Sequence, residues 1–259
     1  MKKILETAQL AARLAAAEIL SHWDNLKIDY KAINDLVTQA DVASERLIQQ
    51  TILDAFPTHQ FYAEESADRA ALESEQLWII DPLDGTTNFA GGIPHFSISI
   101  AYAERGEVKV GVVYDVAKGE MFHAVAGEGA LLNDSRIGIS FASEIHQCIV
   151  STGFAYERGP LMRATLKSIE RLFNNNLRGI RRFGSAALDL CWVACGRFEG
   201  FFEYSLNPWD FAAGALILTE AGGKICTHNG ELYNLNANGI IVATPGIFEQ
   251  LKDLTRFSG

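Results

Sequence analysis

One run of nine residues, Asp81-Pro82-Leu83-Asp84-Gly85-Thr86-Thr87-Asn88-Phe89, gathers the side chains best suited to chemistry in this chain. Its two carboxylates, held apart by a Pro-Leu pair, are hard oxygen ligands suited to Mg2+. Gly85 frees the backbone for a turn, and two threonine hydroxyls follow. Backbone N–H groups at a turn that enters a helix suit a phosphate. The segment follows the apolar run Leu77-Trp78-Ile79-Ile80, which reads as a buried strand, so the carboxylates fall at a strand end. Taken singly, each carboxylate is equally well read as a solvated turn residue or a helix cap. Together they offer both halves of a metal-assisted phosphate site.

Phosphate monoesters are among the slowest substrates to hydrolyse unaided. Two Mg2+ ions roughly 3.5–4 Å apart can hold the attacking and leaving oxygens together. Such a pair needs several carboxylates, at least one of them bridging. Glu64, Asp81, Asp84 and Asp210 are the candidates, each at a predicted strand end or helix start.

The run 81–89 resembles the signature of the inositol monophosphatase family, among the lithium-sensitive, metal-dependent sugar phosphatases. Further stretches match in family order: Asp35-Leu36-Val37-Thr38 with Asp41, Glu64-Glu65-Ser66, Arg181-Arg182 followed by Gly184-Ser185-Ala186-Ala187, Pro208-Trp209-Asp210, and Glu220-Ala221-Gly222-Gly223. The resemblance is greatest to the bacterial inositol monophosphatases. It implies a layered αβαβα fold with the active site between its halves, a homodimer, inhibition by Li+, and two or three Mg2+ ions per site. Glu64, Asp81 and the Leu83 carbonyl would bind the first metal, and Asp81, Asp84 and Asp210 the second. Asp41 and Thr86, with Glu64, would serve catalysis by activating water. Asp84, Gly85, Thr86, Gly184, Ser185, Ala186, Glu203 and Asp210 would contact substrate, a small polyol or sugar phosphate such as inositol monophosphate. Fructose-1,6-bisphosphatase and histidinol-phosphatase activities occur on the same scaffold, and some bacterial relatives associate with the transcription machinery.

Neighbouring residues have blander readings. Asp41 has a rival role as a helix N-cap, and Ser185 reads equally as a cap. Alternation along an extended segment turns Glu65 away from Glu64. Trp209 reads as packing support for Asp210, Asp35 as structural, and Lys31 as similar to a family loop lysine. Phe183 stands where close relatives have smaller residues.

The whole chain agrees with this chemistry. It has 259 residues, 48% of them hydrophobic, and a net charge of −10. That is ample for one large domain or two closely packed ones. An acidic protein that binds an anion needs local positive charge, which bound metal ions supply. No basic run beyond Arg181-Arg182 marks a nucleic-acid surface. No apolar run approaches the roughly 18 residues of a membrane span, and the N-terminus does not read as a signal peptide, so a cytoplasmic location is expected. Cys148, Cys191, Cys195 and Cys226 form no Cys-x-x-Cys pair, and the six histidines lack ligand spacing. The phosphate-binding loop of NTPases is missing.

The positioning elements follow from periodicity. An apolar stripe over 2–21 predicts a helix, and a second runs from Asp41 through Leu53, stopping before Pro57. Strands are expected at 60–63, 77–80, 96–103, 108–114 and 121–125, the last three joined by short hairpin connections. Beyond them, strands near 147–152, 180–183, 200–204 and 240–243 alternate with helices at about 161–173, 186–195, 210–221 and 247–256. The expected fold class is therefore α+β. Residues 1–144 form an N-terminal half with a mainly antiparallel sheet and most metal ligands. Residues 145–259 form an α/β half with the substrate loop and Asp210. The loop 156–160 is the expected mobile surface segment.

Overall fold

The structure is a computed structural model that describes residues 1–23, 28–32, 35–154 and 158–257. Tyr156 and Glu157 of the surface loop lie outside them, as do the side chains of Lys31 and Asp35.

Two helices open the fold, α1 (Lys2–Ser21) and α2 (Gln39–Ala55), with the antiparallel strands β1 (Ile28–Ala32) and β2 (Asp35–Thr38) between them. A seven-stranded sheet follows, in spatial order β3 to β9: β3 (Gln60–Ala63), β4 (Leu77–Asp84), β5 (Ser97–Glu104), β6 (Glu107–Asp115), β7 (Glu120–Val125), β8 (Ala130–Leu132) and β9 (Ser135–Arg136). It is antiparallel except for the parallel pair β3–β4. The short helix α3 (Thr86–Ala90) links β4 to β5. The second sheet has five strands in the order β11-β10-β12-β14-β13: β10 (Ile149–Thr152), β11 (Gly179–Arg181), β12 (Gly200–Glu203), β13 (Lys224–Thr227) and β14 (Ile240–Ala243). Helices α4 (Pro160–Asn174), α5 (Ala186–Ala194), α6 (Pro208–Glu220) and α7 (Phe248–Thr255) complete it.

Three apolar cores glue these elements into five layers, the expected αβαβα sandwich. One core joins α1 and α2 to the seven-stranded sheet, one holds α5 and α6 between the two sheets, and one packs α4 and α7 on the five-stranded sheet. Strand β4 shows the period-two logic. Trp78 and Ile80 point to the α1–α2 side, and Leu77 and Ile79 to the α5–α6 side. A strand covered on both faces reads as a continuous apolar run, as this one does. Helix α6 lies so close to β6 that a Cβ on Gly111 would stand 2.7 Å from the Ala213 carbonyl oxygen.

The strand carrying the key carboxylates extends further than its apolar run. It continues through Pro82 to Asp84, so Asp81 is internal to it. Asp81 pairs with Ser99 and Asp84 with Ser97, which gives β4 one extra residue and makes a bulge. A bulge tolerates proline because the ladder is already interrupted there. It also re-aims the two carboxylates. Gly85 then takes φ +95°, the left-handed turn that starts α3.

Candidate active site

A cavity of about 510 Å3 opens where β4, α3, the 64–69 bend and the N-termini of α5 and α6 converge. It brings together Glu64, Asp81, Leu83, Asp84, Gly85, Thr86, Gly184, Ser185, Ala186, Glu203 and Asp210. Asp41, the remaining expected site residue, lies behind Thr86 at hydrogen-bond distance. Seven carboxylates line the cavity (Glu64, Glu65, Asp81, Asp84, Asp189, Glu203, Asp210) against two guanidinium groups, Arg69 and Arg182.

The electrostatics follow from that imbalance. Burial, then the charges of Glu64, Asp84 and Asp210, push the Asp81 carboxyl well above its ordinary range. Asp210 is raised by burial and by Glu64, against the opposing Asn207 N–H. Asp84 is raised by burial to about 6, with hydrogen bonds from Ser185, Ala187, Ala186 and Ser97 holding it down. Burial takes Glu203 to about 8 despite Arg182. Asp210 and Glu203 keep some surface, but it faces this cavity. Among the described residues, no Lys or Arg forms an ion pair with Asp81, Asp84 or Asp210. Mutually repelling buried carboxylates without basic partners fit hard divalent cations. Among the described residues, no three His, Cys, Asp or Glu side chains are already drawn around one point as a finished cage.

Each carboxylate is held by local chain logic. Asp41 sits at the third position of α2, and Thr38 is the N-cap; the expectation that Asp41 itself caps the helix is corrected accordingly. Asp41 Oδ2 accepts from Thr38 N (2.8 Å) and Thr38 Oγ1 (2.6 Å), a reciprocal capping box. Its other oxygen, Oδ1, accepts from Thr86 Oγ1 at 3.0 Å. That hydroxyl also lies 3.0 Å from the Leu83 carbonyl, so one proton faces two acceptors. Leu83 itself is fully buried in the α1–α2 core. Asp81 Oδ1 accepts from Leu83 N at 3.0 Å. Asp210 repeats the arrangement of Asp41 at the start of α6, accepting Asn207 N at 2.6 Å.

Asp84 is the hinge of the site. Its Oδ2 accepts Ser185 Oγ (2.6 Å) and Ala187 N (2.8 Å), and its Oδ1 accepts Ala186 N (3.3 Å). Donors that the sequence assigned to substrate are thus engaged by a carboxylate from the other half of the chain. An anion at the N-terminus of α5 also meets the positive end of its dipole. Ser185 is indeed the N-cap of α5, and it latches Asp84 as well. Nearby, the N–H groups of Thr86 and Thr87 lack helical partners, since they open α3, and both residues border the cavity.

Strand β3 ends at Ala63, so alternation does not govern the next two residues, and Glu65 lines the cavity alongside Glu64. Three residues unnoticed in the sequence hold this bend. Glu45 Oε2 accepts Glu65 N (2.8 Å) and its Oε1 accepts Ser66 Oγ (2.5 Å), while Gln49 Nε2 donates to Ser66 Oγ (3.0 Å). Arg69 donates to the carbonyls of Ala63 (2.9 Å) and Glu64 (2.8 Å) and stacks over Trp209 at 4.5 Å. The signal for Glu45 was present: Asp41, Glu45 and Gln49 recur every four residues along α2, a polar stripe on one helical face. Arg69 carries no such signal. Phe183 joins His95, Trp192 and Phe198 in an aromatic cluster, where Lys118 and Arg197 lie over the Trp192 ring.

The layered fold and an acidic cavity at the meeting of its halves define a sugar-phosphatase architecture. Residues 1–256 match the inositol monophosphatase family, and the chain belongs to it. It is 41% identical to the "Nus factor SuhB" of Pasteurella multocida, over 97% of this chain and 95% of that protein. Identity to the Escherichia coli K12 protein of the same name is 39%, with the same coverage. Among solved structures it is similar to the extragenic suppressor protein suhB of Bartonella henselae (TM-score 0.93, 35% identity, 99% of this chain and 100% of that one). An IMPase of Thermotoga maritima superposes with a TM-score of 0.89 at 35% identity, covering 98% and 97% of the two chains.

Proposed function

We propose that this chain is a Mg2+-dependent phosphatase of small polyol phosphates, with inositol monophosphate as its substrate. The observation that carries this reading is the cavity itself: seven carboxylates beside the hydrogen-bonded Thr86–Asp41 pair. Glu64, Asp81 and the Leu83 carbonyl would hold one ion, and Asp81, Asp84 and Asp210 another. Bound there, Mg2+ supplies positive charge for the phosphate oxygens and lowers the pKa of water. The chain's own residues do the rest. Thr86 Oγ1 takes a proton from the attacking water while passing its own to Asp41 Oδ1. A cation on the Leu83 carbonyl would commit the Thr86 proton to Asp41. Burial raises the Asp41 pKa, which suits it to accept that proton. The N–H groups of Gly85 and Thr86 would hold the phosphate, and Glu203 the alcohol. On this reading residues 1–144 bring most of the metal ligands, and residues 145–259 bring the alcohol-reading groups and Asp210.

The family membership and the likeness to a structure described as an inositol monophosphate-bound IMPase of the SaIMPase-II type (29% identity, TM-score 0.83) support the substrate. The test is a panel of inositol, fructose bis- and histidinol phosphates, compared by kcat/KM. Chelation should abolish turnover and Mg2+ restore it; full activity in excess chelator would sink the mechanism. Millimolar Li+ should inhibit uncompetitively. A second reading is favoured by the name "Nus factor" on relatives matched over 97% of this chain: a regulatory contact with other proteins, alongside catalysis. Capture of partners from a native lysate by wild-type and Asp81→Asn protein would separate the two roles.

A further inference from the structure

Beyond the metal ligands, part of the cavity wall comes from the first turn of α5 and the neighbouring strand ends of β10 and β12. The register Thr152–Phe202 sets Gly153 beside Glu203. A Cβ on Gly153 would stand 1.9 Å from Glu203 Oε2, so any side chain there would evict the carboxylate. Ser151 lies two residues back and therefore on the same side of β10. Facing this group from α5 is Asp189, only 1% exposed, yet part of the cavity wall. Asp189 Oδ1 and Ser151 Oγ are both buried without a hydrogen-bond partner among the described residues. Ser151 approaches Asp189 and holds its pKa down, without reaching full hydrogen-bond geometry.

A buried polar atom left without a partner costs more than an ordinary hydrogen bond contributes. Such an atom on a residue that borders the cavity, as Asp189 does, points to a partner outside the chain. Burial, then the charges of Glu203 and Asp84, push the Asp189 carboxyl well above its ordinary range. Its protonated form can donate one hydrogen bond and accept another, which is the complement of an alcohol. Arg182 lines the same cavity and opposes the rise at both Asp189 and Glu203.

We propose that Asp189 is a second hydroxyl-reading group beside Glu203, selecting phosphates of polyols over phosphates of alcohols that carry no further hydroxyls. The proposal rests on the phosphatase reading and adds a residue that the sequence motifs did not single out.

The test compares kcat/KM for myo-inositol 1-phosphate with that for p-nitrophenyl phosphate. For Asp189→Ala, the ratio of the two should fall by about 10- to 100-fold, the scale of a lost buried hydrogen bond to substrate. Asp189→Asn keeps both a donor and an acceptor, so it should lose much less. A folded Asp189→Ala protein with an unchanged ratio would overturn the proposal, because a purely structural residue lowers both activities together. If Asp189→Ala does not fold, Asp189→Leu and Asp189→Asn are compared in the same way after thermal unfolding shows them folded. If wild type hydrolyses neither ester, the phosphatase reading fails. Calorimetric binding of myo-inositol then decides: weakened binding in the folded variant supports Asp189, and equal binding overturns it.

Discussion

The Asp41 carboxylate serves two masters, and this fixes what its substitution should do. Oδ2 holds the capping box of α2 and Oδ1 holds the Thr86 hydroxyl. Asparagine has one acceptor oxygen, so its NH2 group must face donors on one side or the other. Asp41→Asn should therefore lower both kcat and stability. Thr86→Ala should lower kcat strongly with the fold intact, and combining it with Asp41→Asn should add little to the kinetic loss, as for groups acting as one unit. Thr38→Val should cost about 1 kcal/mol of stability through the cap, with a smaller loss of kcat than Thr86→Ala, because Thr38 Oγ1 touches Asp41 but not the attacking water. Urea unfolding and steady-state kinetics on the four variants check this. An Asp41→Asn enzyme with native kcat would remove Asp41 from the chemistry.

The same scale carries a pH dependence. Asp84 and Glu203 have folded pKa values of about 6 and about 8, above the ordinary 3.8 and 4.5. A carboxyl with a raised folded pKa binds more protons folded than unfolded. Its share of the stability is present at low pH and lost as pH rises through that window. Mg2+ needs the ionised forms, so the rise in Tm on adding Mg2+ should grow from pH 5.5 to pH 8. Scanning calorimetry with and without the metal measures it. An equal Mg2+ effect at both pH values would count against Asp84 as a ligand.

At the scale of elements, the 64–69 bend is the part most exposed to small changes. It has left the sheet at Ala63 and is fastened by Glu45 from α2 on one side and by Arg69 on the other. Arg69 also rests on Trp209, next to Asp210, so one guanidinium links the segments that carry Glu64 and Asp210. Arg69→Ala should raise the Mg2+ concentration for half-activation by about 10-fold, an effect of the size seen when groups behind metal ligands are removed. Lysine should not rescue it, since a point charge cannot fork to two carbonyls. Calorimetric Mg2+ titration provides the readout independent of turnover. Unaltered Mg2+ binding in Arg69→Ala would reduce the residue to surface packing.

At the scale of the molecule, Asp84 is the element of one half that reaches into the other. Its four donors come from the start of α5 and from β5. Asp84→Asn should therefore both weaken metal holding and loosen the α5 N-terminus. A rate loss on the order of 10^3-fold corresponds to roughly 4 kcal/mol of transition-state stabilisation. Asp81→Asn should lose at least as much rate with a smaller change in Tm, because among the described residues Asp81 accepts one backbone bond, from Leu83. Near-native kcat in either folded variant would remove the two-metal assignment. Among the described residues, no helix is long and apolar enough to cross a membrane.

What the sequence alone determined was local. Helices α1, α4 and α7 carry period-3.6 stripes, and β4 to β7 carry apolar or alternating runs between turn residues, so their existence and type were legible. The acidic run 81–84 and the helix start at Asp210 were legible as candidates, and the structure brings them to one cavity. The short strands β1, β2, β8, β9 and β13 were not read. Nor was the continuation of β4 through Pro82 visible, because only the pairing with β5 reveals the extra residue. Tertiary structure alone decided who partners whom. Ser185 and Asp84 are 101 residues apart, and Thr86 and Asp41 are 45 apart. A hydrogen bond is set by angstroms, and no periodicity along the chain encodes which distant carboxylate a burial layer will bring within reach. Asp189 shows the same limit. As a sequence it is one acidic residue in a helix's first turn, and only the packing around it leaves its Oδ1 without a hydrogen-bond partner among the described residues.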